Sequence, residues 1–233
     1  MNYQKKIQKT NNLLLKLKPV QALLHKEFLI DLRQSAGLVS IFIYLVSILY
    51  STSLLFKNNF SPVSYTALYL ILFLFSSLIA SYRNFTKEEN DNGLFHYIYY
   101  SPIQYITGKI IYTIILNILL SLLLLILFIL FNGFLIANFQ LFVITLLGMV
   151  LGVSPLLSLT GSMAGKAQGN FVLMSMMSFP ILLPLLIVSA KLCIASIENI
   201  PLSMNTKYLI SLYSIDAINF LLTFILFSQV WTE

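Results

Sequence analysis

The sequence predicts an all-α, polytopic membrane protein with six transmembrane helices. Hydrophobic residues make up 58% of the chain and charged residues only 9%, where an average soluble domain carries about 25% charge. Apolar runs repeatedly exceed the roughly 18 to 20 residues needed to cross a bilayer. These runs are too long and too uniformly apolar to alternate as barrel strands, and a helix satisfies every backbone N–H and C=O inside hydrocarbon without closing a barrel.

The elements follow in order. Met1 to Leu17 is rich in Lys, Asn and Gln, with one short apolar patch at Leu13 to Leu15. It lacks the apolar core and small-residue cleavage site of a signal peptide, so the first span is expected to direct insertion. Val20 to Ser35 reads as a helix starting just after Pro19. Leu24, Phe28 and Leu32 form a stripe at i, i+4, i+8, while Glu27 and Asp31 lie four apart and Lys26 and Arg33 occupy another side. That pattern fits a helix lying in the membrane interface. Residues 1–36 are therefore expected to form a cytoplasmic N-terminal segment and 37–233 the membrane domain.

The six runs are Gly37 to Phe56, Val63 to Tyr82, Ile110 to Phe131, Phe134 to Leu159, Phe171 to Ala195 and Tyr208 to Val230. Asn132 and Gly133 offer a tight turn between the third and fourth. The longest loop, Arg83 to Lys109, separates the second and third and holds Glu88, Glu89 and Asp91 with Tyr97, Tyr99 and Tyr100.

Lys and Arg set the orientation. With the N-terminus inside, the inner side holds Lys5, Lys6, Lys9, Lys16, Lys18, Lys26, Arg33, Arg83, Lys87, Lys109 and Lys166, against Lys57, Lys191 and Lys207 outside. Both termini are thus expected in the cytoplasm. Seven of the 14 basic residues precede the first span, so the net charge of +6 points to a lipid surface and not to nucleic acid.

A phosphate-cradling loop would end in Gly-Lys-Ser/Thr. Gly165-Lys166 is followed by Ala167, so an ATPase function is not expected in this chain. His25 and His96 are the only histidines and Cys193 the only cysteine. Neither a catalytic pair at membrane depth nor a metal site can be assembled from them. Each histidine reads as a surface residue and Cys193 as a small apolar filler. Asp216 has two readings: a polar group facing a cavity or partner helix, or an early-turn acid favoured by the helix dipole if the last span starts nearer Ser214. Pro155, Pro180 and Pro184 each remove a backbone donor and predict kinked helices that can shape a cavity. Gly148 with Gly152, and Gly161 with Gly165, are spaced for close helix packing or a dimer seam.

Three segments resemble the haem exporter protein B family. They are Glu27-x-x-x-Asp31-x-Arg33, then Phe85-x-x-Glu88-Glu89 running through aromatics to Ser101-Pro102 and Lys109, and Asn170 with Pro180 and Pro184. Their order and spacing cover the chain from about Leu23 to Trp231. The resemblance implies a six-span, ABC-2-like homodimeric permease of the bacterial inner membrane that docks a cytoplasmic ABC ATPase. It also implies a haem-handling membrane subunit and a periplasmic haem chaperone as partners, ATP bound on the ATPase, haem as the candidate substrate, and no cofactor held by this chain. Glu27, Asp31, Arg33, Phe85, Glu88, Glu89 and Asp91 are then the expected ATPase-coupling surface. Two departures stand out. Asn92-Gly93 follows the acidic run one residue late if Glu88 is the family glutamate, which makes Glu89 the equivalent, and the tail after Trp231 lacks a basic residue. A generic exporter of lipid, polysaccharide or drug, and a non-transport membrane scaffold, are the alternative readings.

Overall fold

The computed structural model describes residues 20–31, 33, 36–56, 60–99, 101–167 and 170–232, with the backbone path alone for 86–99, 166, 230 and 232. Helix α1 covers residues 20–31. It is followed by α2 (Ala36–Phe56), α3 (Pro62–Tyr99), α4 (Pro102–Asn132), α5 (Phe139–Lys166), α6 (Phe171–Ile197), a 3-10 turn (Leu202–Asn205) and α7 (Thr206–Thr232). Six of these are long and apolar enough to cross a membrane.

Local chemistry sets the helix starts. Pro62 and Pro102 stand at first helical positions, where the missing N–H costs nothing. Ser61 Oγ accepts from Ser64 N, and Ser101 and Gln104 form a reciprocal capping box. Asn138 caps α5 by accepting from Leu141 N, and Asn170 caps α6 by accepting from Val172 N and Leu173 N. Asn138 also corrects the expected start of the fourth span. After Gly133, whose φ of +79° suits glycine, residues 134–138 stay outside the helix, and α5 begins five residues later than its apolar run.

The expected loop between the second and third spans is helical. The span portion of α3 ends at Phe85, but the helix continues to Tyr99. At 1.5 Å per residue the added 14 residues extend about 21 Å beyond the span.

Helix α5 is the centre of the bundle and touches α3, α4, α6 and α7. Of its span, 78% is buried, against 17–22% for α2, α6 and α7. Small residues explain its place, because each vacancy on α5 is filled by a neighbour's side chain. Leu212 covers Gly148, Leu185 and Asp216 cover Gly152, and the Phe85 ring covers Gly161. Gly148 and Gly152 therefore serve packing within the chain. Helix α2 joins the bundle through a single stripe, Ile41, Leu45 and Leu49, directed at α3 and α4.

Aromatic residues close both ends. Phe60, Tyr65, Phe128, Tyr69 and Phe142 form a chain of edge-to-face contacts at one end. At the other, Tyr105 of α4 packs on Phe227 and Trp231 of α7, which fixes the last span firmly despite the missing basic residue.

Candidate functional site

The α1 end of the bundle holds a buried charged cluster. On α1 the residues turned inward are Val20, Leu23, Glu27 and Asp31. Phe28 and Leu29 are exposed and Leu24 is half-buried. Of the expected apolar stripe Phe28 faces outward while Leu24 packs partly against the core, and the acidic side meets the protein. Leu23 lies over Gly108, where a side chain would leave no room. One position further on, Lys109 Nζ donates to Glu27 Oε1 at 2.9 Å, with 0% and 2% of the two side chains exposed. Tyr112 OH donates to Asp31 Oδ2 one turn on. The Lys109 ammonium also sits 4.9 Å from the Phe85 ring and 5.8 Å from that of Tyr105. Lys109 therefore ties α1, the end of α3's span and α4 together, and α1 is built into the bundle. The guanidinium of Arg83 lies over Gly37 at the start of α2.

A polar seam continues from this cluster into the membrane. Lys109, Thr113, Asn117 and Ser121 recur every four residues on α4, and all are buried. Ser77 of α3 donates to Asn117 Oδ1 at 2.7 Å, and Asn117 Nδ2 donates to Ser154 Oγ of α5 at 3.0 Å. Ser158 donates to Thr113 Oγ1 at 3.1 Å, and Tyr69 OH donates to the Ser121 carbonyl at 3.0 Å. The seam locks α3, α4 and α5 by interhelical hydrogen bonds, which in hydrocarbon replace absent water.

The structure redistributes the residues expected to form a coupling surface. Glu27, Asp31 and Phe85 are buried within the chain, so they cannot present an exposed face; their role here is to hold α1 and α3 to α4 and α5. Arg33 is exposed. Glu88, Glu89 and Asp91 lie on the part of α3 beyond its span, and their side chains, like that of His96, fall outside the described residues. Pro155 is buried in the middle of α5, whereas Pro180 and Pro184 lie on the exposed side of α6. Cys193 is a buried free thiol, as a filler would be, and His25 is exposed.

Asp216 is not an early-turn residue. Helix α7 starts ten residues before it, and Asp216 is 4% exposed against α5 and α6. Lys109, counted among loop charges on sequence grounds, is a span residue. The signal for its role was available in part: polar residues at four-residue spacing in so apolar a helix mark a buried face.

Neither a search of curated proteins nor one of solved structures finds a match. The family model described as CcmB protein matches residues 18–227, from just before α1 to the Phe227 contact of α7. This chain therefore belongs to the CcmB family, the membrane permeases of haem and cytochrome c maturation.

Proposed function

We propose that the chain is the permease subunit of an ABC-type complex in the bacterial inner membrane, working as a homodimer with both termini in the cytoplasm. It couples ATP hydrolysis by a separate ATPase subunit to haem export, or to release of the haem-loaded periplasmic chaperone, together with a haem-handling membrane subunit. Family membership supports the haem pathway. The observation that supports the coupling is the unbroken helical continuation of α3 about 21 Å past Phe85. That extension bears Lys87, Glu88, Glu89 and Asp91. A permease without a phosphate-binding loop needs an element outside the membrane for an ATPase to grip, and an unbroken helix transmits a push without absorbing it in a hinge. Movement of the extension reaches Phe85, and through Phe85 both Lys109 and Gly161.

The test reverses the acidic run with Glu88→Lys and Glu89→Lys. Membrane insertion is expected to be unchanged, ATPase co-purification to fall at least tenfold, and haem staining of c-type cytochromes to disappear. Undiminished ATPase capture would remove the extension from the coupling surface. Normal cytochromes in cells lacking the whole chain would replace the haem reading with a permease for another cargo.

A further inference from the structure

Among the described residues, Asp216 is the one acidic side chain at the middle of a span, and its surroundings are unusual. It lies 14 residues from Leu202 and 13 from Gln229, the limits of the last span. Its neighbour Gly152 lies 13 residues from each limit of the Phe139–Gly165 span. Both therefore lie at the middle of their apolar helices. Asp216 Oδ1 lies 2.1 Å from where a Gly152 Cβ would be, so the missing side chain is what admits the carboxyl. Neither carboxyl oxygen has a hydrogen-bond partner, and the residue is 4% exposed.

A carboxylate in that position would be a bare charge in hydrocarbon, where the usual escape is neutralisation. No cation faces it. The neighbouring titratable group on α7 is Tyr213, whose OH donates to the Ile144 carbonyl of α5 at 3.2 Å. Helix α5 carries no titratable residue nearer than Lys166, fourteen residues past Gly152. On α6 the nearest is Lys191, six residues past Leu185, and its ammonium lies over the Tyr208 ring at 5.2 Å.

The adjacent helix carries a backbone carbonyl that lacks its helical donor. Pro155 has no N–H, so the carbonyl of Leu151, four residues earlier, loses its helical donor. Leu151 adjoins Gly152, the residue that Asp216 covers. Side chains of α7 already serve this turn of α5, since Asn219 Nδ2 donates to the Gly152 carbonyl at 3.1 Å. We propose that Asp216 is a proton-binding site at the middle of its span, held as a neutral carboxylic acid that donates to the Leu151 carbonyl freed by Pro155. The carboxylate takes one proton from a hydronium ion, so that one O–H bond breaks there, one forms on the carboxyl oxygen, and a water molecule is left. Asp216 and Asn219 then clasp α5 at its proline, and loss of the proton would expel a charge from between α5, α6 and α7.

Infrared difference spectroscopy on the full chain in liposomes tests this. Subtracting Asp216→Asn from the unmodified protein at neutral pH should leave the carbonyl band of a carboxylic acid, and Pro155→Ala, which restores a helical donor to Leu151, should shift it. A carboxylate band instead, or an acid band unmoved by Pro155→Ala, overturns the assignment. Should Asp216→Asn fail to fold, Asp216→Glu keeps an acid band at an altered frequency. As a second readout, dicyclohexylcarbodiimide should add to Asp216 at least tenfold above the Asp216→Asn background. Suppression of that labelling by sodium at constant ionic strength would make the ligand a metal cation and overturn the proton.

Discussion

Replacing Lys109 by methionine keeps the stem and removes the charge, leaving the Glu27 carboxylate only 2% exposed and without its ammonium partner. Stranding one member of a buried ion pair costs about 3–5 kcal/mol, whereas replacing both by apolar residues of similar volume is often neutral. An exposed pair would be worth only about 0–1 kcal/mol. For a chain of this size 1 kcal/mol moves the melting temperature by about 2–4 °C, so Lys109→Met should lower it by roughly 6–20 °C. Glu27→Met strands the lysine instead and should do the same. The double variant Glu27→Met/Lys109→Met should recover most of the loss, giving a coupling energy of at least about 3 kcal/mol in the double-mutant cycle. Trp231, the only tryptophan, stacks near Tyr105 at the start of α4, so its fluorescence in detergent reports the transition. A loss below about 1 kcal/mol in Lys109→Met, or a double variant as unstable as the sum of the singles, would refute α1 as a built-in element.

Three further outcomes follow from the packing. Asn117→Leu strips the Ser77 and Ser154 hydroxyls of a shared partner; hydrogen bonds between membrane helices average about 0.6 kcal/mol, so denaturation should report a loss of roughly 1 kcal/mol for the two. Gly161→Leu puts a side chain into the Phe85 ring, 2.4 Å from the Cβ position, and overpacking of about 1–3 kcal/mol should appear as a lower melting temperature with unchanged insertion. Asn170→Ala removes the acceptor for Val172 N and Leu173 N, and a loss of about 0.5–2 kcal/mol is expected in the same assay.

The spans were legible because hydrocarbon demands long apolar helices and the runs between them are short. The segment from Arg83 to Lys109 is long enough on sequence grounds for a short coupling helix, and α3 continues through most of it for a local reason. Lys87, Glu88 and Glu89 are good helix formers, no proline intervenes before Pro102, and a charged stretch beyond the interface needs no loop to be solvated. The face of α1 was ambiguous from periodicity, since Val20, Leu23, Glu27 and Asp31 make a second stripe whose acids look solvent-directed until a cation is found for them. That cation is 82 residues away in sequence, and no local pattern announces so distant a pairing. Asp216 was placed at a helix end or within a span with equal weight because the 3-10 turn at Leu202–Asn205 and the start at Thr206 carry no apolar signature.

The separation of Glu27 and Lys109 also bears on synthesis. At about 5–20 residues per second the ribosome makes Lys109 roughly 4–16 s after Glu27. During that interval α1 has its interfacial face but no site on α4, and Glu27 lacks the Lys109 ammonium that it is buried with. The acidic side of α1 must wait in water while α2 and α3 are inserted, and it docks only when the fourth helix arrives. Chains that stop before α4 lack both the lysine and the tyrosine that hold Glu27 and Asp31 in the bundle.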